Sequence, residues 1–96
     1  MDDVAFIYST ERKTQIHLKT GEAMAYNRSL DSISEGLDPS RFFRANKQYI
    51  VARDCVKDIV VWFDSRLLVR MTVDLPEPLF VSKNKAADFK NWMTTS

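Results

Sequence analysis

Soft ligands, hinges and apolar spans are all scarce in this chain. It has one cysteine and one histidine among 96 residues. The lone Cys55 excludes an intrachain disulfide and points to a reducing, cytoplasmic setting. Zinc sites with Cys/His spacing are therefore excluded. A Ser-His-Asp or Cys-His nucleophile would have to use His17, which falls mid-strand, where the spacing predicts an exposed histidine. Glycine numbers only 2, with Gly21 and Gly36 isolated, so there is no Gly-rich phosphate loop. The acidic residues are scattered, without a carboxylate pair for acid–base work. An enzyme is therefore not expected, nor is a cofactor. The longest apolar run, Ile59 to Phe63, is far too short for a bilayer, so no membrane partner is expected. Asp2 and Asp3 stand where a signal peptide would carry positive charge. An excess of positive charge is missing too: Lys+Arg 14 stand against Asp+Glu 13. Any nucleic-acid reading must rest on where the charges sit.

What is present is an ordinary globular composition, with 45% hydrophobic and 28% charged residues. A length of 96 residues supports one domain, 1–96, with a single core. Val4 to Tyr8 reads as a strand. Thr14 to Lys19 alternates, Thr20-Gly21 turns, and Glu22 to Tyr26 returns as the partner. Ser29 can cap a short helix carrying Leu30, Ile33 and Leu37, with Gly36 expected in a left-handed terminal position. Asp38-Pro39-Ser40 ends it. Phe43, Ala45, Tyr49 and Val51 share one strand parity, and Arg44, Asn46 and Gln48 the other. Lys47 falls on the apolar side, where an unpaired charge is costly. A bulge or loop at Asn46–Gln48 that turns Lys47 outward is expected. Val56 to Phe63 is an apolar strand, Asp64-Ser65-Arg66 turns, and Leu67 to Val73 alternates back. Pro76 and Pro78 interrupt, Leu79 to Val81 is a short strand, and Ser82 can cap a final short helix with Ala86, Phe89 and Met93 on one face. Phe42, Phe43, Tyr49, Trp62, Phe63, Phe89 and Trp92 follow this periodicity and are assigned to the core. The sum is a mainly β domain: a small antiparallel fold of about six to eight short strands with two short helices.

Basic residues gather in three places. The first is Arg12, Lys13 and Thr14, before a strand. The second is Arg41, Arg44, Asn46, Lys47 and Gln48. The third is Ser82, Lys83, Asn84 and Lys85, opening the last helix, where free N–H groups suit a phosphate. A solvated surface accounts for any one of them taken alone. All three lie in loops or at element ends, where binding residues concentrate.

The run Phe42-Phe43-Arg44-Ala45-Asn46-Lys47-Gln48-Tyr49-Ile50-Val51 resembles the signature of the LytTR family of bacterial DNA-binding domains. Ser29-Leu30-Asp31-Ser32-Ile33, Cys55-Val56-Lys57-Asp58-Ile59, Phe80-Val81-Ser82-Lys83 and Phe89-Lys90-Asn91-Trp92-Met93 resemble its other landmarks in the same order. The resemblance implies a mainly β fold that binds double-stranded DNA with loops. It implies contacts near Lys13 and Thr14, at Asn46, Lys47 and Gln48, and at Ser82, Lys83 and Asn84, with Arg44 and Lys85 in support. Two positions depart from the pattern: Ala52 stands where Asn is usual, and Lys83 where Arg is commoner. Lysine is a point charge and cannot make the two-pronged guanine contact, so a phosphate contact is expected there.

The resemblance further implies a role as the output domain of a response regulator. Implied partners are promoter repeats, a homodimer on DNA, an N-terminal receiver domain and a cognate histidine kinase. The chain would then be one domain excised from a longer regulator. The competing reading is a β-domain that binds protein or peptide, with the Pro76–Pro78 stretch as an edge for strand addition.

Overall fold

The computed structural model describes residues 3–11 and 13–94. Eight strands and two helices follow in the order β1 (Val4–Ser9), β2 (Thr14–Leu18), β3 (Ala23–Tyr26), α1 (Leu30–Glu35), β4 (Phe42–Arg44), β5 (Tyr49–Ala52), β6 (Val56–Val61), β7 (Leu67–Met71), β8 (Leu79–Val81) and α2 (Lys83–Thr94). They form two sheets, one ordered β3-β2-β1-β5-β4 and the other β6-β7-β8. Every pairing between these strands is antiparallel. The mainly β antiparallel class is the one expected from sequence. No helix among the described residues is long and apolar enough to cross a membrane.

Burial explains the sequence pattern. β1 lies at the centre of the larger sheet, and Val4, Ala5, Phe6, Ile7 and Tyr8 are all buried. A strand covered on both faces needs an unbroken apolar run, not alternation. The same holds for β5, where Tyr49 to Ala52 are buried. In the smaller sheet β7 alternates, with Leu67, Val69 and Met71 buried and Arg70 exposed. The largest side chains below 2% exposure include Tyr49, Phe6 and Phe89. Each such apolar side chain stabilises the fold by about 1.5–3 kcal/mol relative to exposure. Helix α2 closes the core through Phe89, whose ring lies 5.3 Å from Phe43 and 5.7 Å from Trp92. The Trp92 indole N–H donates to the Pro39 carbonyl at 2.8 Å, which fastens the far end of α2 to the turn before β4.

The loop expected at Asn46–Gln48 is present, as the connection of a hairpin in which Phe42 pairs with Ala52 and Arg44 with Ile50. Three expectations need correction. Gly36 has φ −97°, in the right-handed region. Helix α1 therefore ends by tight i→i−3 bonds, with Gly36 N–H on Ile33 and Leu37 N–H on Ser34. Val56–Phe63 stops as a strand at Val61. Beyond it, Phe63-Asp64-Ser65-Arg66 forms a turn in which Asp64 and Ser65 have φ of 59° and 61° and Arg66 N–H returns to the Phe63 carbonyl. Two left-handed central residues match the twist of a tight hairpin. This lifts Trp62 and Phe63 out of the core, to 39% and 74% exposure. Finally, His17 is half-buried and stacks on Phe6 with ring centroids 4.3 Å apart.

Candidate nucleic-acid interface

Two of the three basic clusters sit at the ends of strands that the larger sheet makes neighbours, and the third follows β8 of the smaller sheet. β1 pairs with both β2 and β5, so the β1–β2 connection and the β4–β5 connection emerge side by side. Ser9 N–H donates to the Gln48 carbonyl at 2.8 Å, and Thr10 N–H closes the first loop on the Lys13 carbonyl at 2.9 Å. Arg12 lies outside the described residues. The second and third clusters are joined by side chains. Asn46 Nδ2 donates to the Phe80 carbonyl at 2.8 Å, and Lys85 Nζ reaches the Arg44 carbonyl at 3.3 Å. The β4–β5 loop is thus bonded to the first loop on one flank and to the β8–α2 junction on the other.

The predicted site residues divide by what their side chains already hold. Lys13, Lys47, Gln48, Ser82, Lys83 and Asn84 are exposed. Lys47 leaves the apolar parity as expected, because the hairpin loop turns it into solvent. Thr14 is different. It is 5% exposed and its hydroxyl donates to Ser9 Oγ at 3.2 Å, so its side chain belongs to the rim of the sheet. Arg44 is also committed, with its guanidinium paired to Asp31 and its Nε donating to the Asn46 carbonyl at 3.2 Å. Asn46 Oδ1 accepts from the N–H groups of Gln48 and Tyr49 at 2.7 and 2.9 Å. Ser82 stands just before α2 and its carbonyl accepts from Lys85 N–H at 3.0 Å. Among the described residues its hydroxyl holds no hydrogen bond, so the expected capping bond is not made and the oxygen faces outward.

Sequence reasoning passed over Arg28. With Asn27 and Ser29 it lines an open cleft of about 310 Å³, whose other wall includes Ser9, Thr10 and Lys13. The signal was a polar Asn-Arg-Ser step between a strand and a helix, which reads as an ordinary connection until β3 is seen beside β2. The Pro76–Pro78 segment carries no strand. Glu77 is held there by Tyr8, whose hydroxyl donates to its carboxylate at 2.8 Å, and by Tyr49, whose hydroxyl donates to its carbonyl at 2.8 Å.

The LytTr DNA-binding domain profile matches residues 1–94. The chain belongs to the LytTr DNA-binding domain family. This LytTr domain superposes on a solved LytTr DNA-binding domain from Bacillus cereus with a TM-score of 0.81 at 22% identity, covering 97% of this chain and 83% of that one. At that identity the likeness establishes the fold. Two curated relatives carry regulatory names. The sensory transduction protein LytT of Oceanobacillus iheyensis is 29% identical over 63 residues, 66% of this chain and 26% of its own length. The transcriptional regulatory protein YpdB of Escherichia coli K12 is 24% identical over 93 residues, 97% of this chain and 37% of its own length. The LytTr domain described here thus spans about a quarter to two fifths of the curated relatives it matches.

Proposed function

We propose that this domain binds double-stranded DNA sequence-specifically through its three joined loops, as the output domain of a bacterial transcriptional regulator. The observation that carries the reading is the double attachment of the β4–β5 loop, to Ser9 on one side and to Phe80 on the other. It gathers clusters that sequence alone left unrelated. Lys13, Lys47 and Lys83 supply contacts to phosphate or guanine, Gln48 and Asn84 present amides, and Ser82 offers a hydroxyl to a phosphate. Arg28 joins the first of these groups. Thr14 and Arg44 support the loops from within, and Lys85 divides its charge between the Arg44 carbonyl and solvent.

In the whole regulator, a receiver domain addressed by a histidine kinase would precede this domain and promote pairing of two copies on promoter repeats. The protein-binding alternative loses its main support, because the Pro76–Pro78 stretch is a pinned β7–β8 connection rather than a free edge.

The test is selection of bound duplexes from a random DNA pool, followed by a salt titration on the recovered site. A repeated motif is expected, with log affinity falling linearly in log salt by about 0.9 per phosphate neutralised. A flat salt response, or a pool that yields no motif, overturns the reading.

A further inference from the structure

Asn46 occupies the position where a side-chain amide invites a base contact, yet its polar atoms are turned inward. Oδ1 accepts two backbone N–H groups, from Gln48 at 2.7 Å and Tyr49 at 2.9 Å, and Nδ2 donates to the Phe80 carbonyl at 2.8 Å. Of the four hydrogen bonds an amide side chain can ordinarily make, one N–H remains. The partner matters more than the count. Phe80 lies in β8, two residues before Ser82 and three before Lys83, where α2 begins. The same amide therefore shapes the loop that displays Lys47 and fixes that loop against the strand that delivers Lys83.

We propose that Asn46 is a positioning residue, a clamp that sets the spacing between the second and third DNA-contacting loops instead of reading a base. The inference rests on the DNA-binding reading for its consequence, but the clamp itself is a property of the free protein. Three further bonds act in the same place. Arg44 Nε donates to the Asn46 carbonyl at 3.2 Å, Lys85 Nζ donates to the Arg44 carbonyl at 3.3 Å, and Tyr49 bonds to Glu77 at the entrance to β8. The first braces the loop from within and the other two tie the β4–β5 hairpin to the β8–α2 unit, but only Asn46 does so while also closing the loop that carries Lys47. Two loops held at a fixed separation meet DNA without an ordering cost, which is how preorganisation raises affinity.

The clamp makes a distinct prediction for Asn46→Ala and Asn46→Asp. Asn46→Asp keeps the two acceptor bonds and loses the donor to Phe80. In free protein, amide exchange at Gln48 and Tyr49 should accelerate in Asn46→Ala and stay slow in Asn46→Asp. Nitrogen relaxation at Phe80 to Lys83 should report added motion in both. On the selected duplex, Asn46→Ala should lose affinity by about tenfold. That loss should be equal for the selected site and for each singly substituted site, leaving the base preferences as they were. Unchanged exchange and relaxation in free Asn46→Ala overturns the clamp. Relaxed discrimination at one base pair with unchanged exchange makes Asn46 a base reader and overturns it equally. If the wild-type domain binds no duplex, the DNA-binding reading fails while the free-protein measurements still decide the clamp.

Discussion

The Tyr49 hydroxyl lies between the two backbone groups of Glu77, donating to its carbonyl at 2.8 Å and accepting from its N–H at 3.3 Å. Tyr49 is 0% exposed and leads β5, whereas Glu77 sits in the Pro-flanked connection that enters β8. One phenol thereby supplies both the donor and the acceptor that a stretch without strand partners needs. Tyr49→Phe removes them and leaves the Glu77 carbonyl without its internal partner, at a cost of about 0.5–1.5 kcal/mol. Urea unfolding should show a lower midpoint with an unchanged slope. A midpoint matching wild type would mean that water replaces the hydroxyl without loss.

The same phenol predicts an alkaline limit. Burial, above all, holds Tyr49 well above its ordinary range. Tyr8 is raised first by its bond to the Glu77 carboxylate and then by burial. A phenol whose pKa is higher folded than unfolded stabilises the fold while both states are protonated. That stability drains away once the unfolded chain begins to ionise, near pH of about 10. Stability should be level from neutrality to that point and fall beyond it, with a shallower fall in Tyr49→Phe. Denaturation midpoints across an alkaline pH series test this.

His17 acts at the other end of the scale. Desolvation lowers its pKa, and its Nε2 is buried without a hydrogen-bond partner among the described residues. The folded state therefore favours the neutral ring, stacked on Phe6. Its contribution is intact above the unfolded value of about 6.5 and is lost as pH falls below it, because the unfolded chain gains the proton first. His17→Gln should flatten the pH dependence of unfolding below about pH 6.5. The same acid slope in wild type and variant would remove His17 as its source.

Phe89 is the one buried residue of α2. Its truncation to Ala leaves a cavity beneath Phe43 and Trp92 and should cost about 3–5 kcal/mol. Because α2 begins at Lys83, partial undocking should also weaken DNA binding, and conditions that restore the helix should recover it. Circular dichroism and affinity followed together through a thermal ramp distinguish this from a loss confined to stability.

Lys47 is exposed and lies at the tip of the β4–β5 loop. Lys47→Ala should leave the unfolding midpoint within about 0.5 kcal/mol of wild type. It should weaken DNA binding and, if the contact is to phosphate, reduce the salt slope by about 1. Equal affinity and equal slope would remove Lys47 from the interface.

Much of this arrangement could be read from the residues, and the missing parts have physical reasons. Lys47 was legible because a charge on an apolar parity must be turned out or paired. The centre of the larger sheet was legible in the unbroken runs Val4 to Tyr8 and Tyr49 to Ala52. That these two runs lie side by side was not, since neither local pattern encodes the pairing of Ile7 with Ile50. The meeting of the first two loops follows from that pairing and was hidden with it, and the third joins them through the Asn46 and Lys85 side chains. The inward bonds of Asn46 were hidden for a related reason, because its Phe80 acceptor is a backbone carbonyl 34 residues away. Trp62 and Phe63 looked like a continuing strand, because β-propensity cannot say where a hairpin turns. Only the left-handed pair Asp64 and Ser65 places that turn.

The two tryptophans occupy opposite ends of α2's surroundings. Trp62 stands exposed on the β6–β7 turn, with its ring 6.0 Å from Phe80. Trp92 lies under the Arg53 guanidinium at 4.9 Å, its indole N–H spent on Pro39. The domain therefore carries two native optical reporters in different surroundings. Trp92 is only partly exposed, so a soluble quencher reaches it less readily than Trp62. Light emitted from Trp62 follows events beside the β8–α2 junction, while light from Trp92 follows the seating of the helix. A single unlabelled sample can thus separate a change at the contact surface from a loosening of the scaffold behind it.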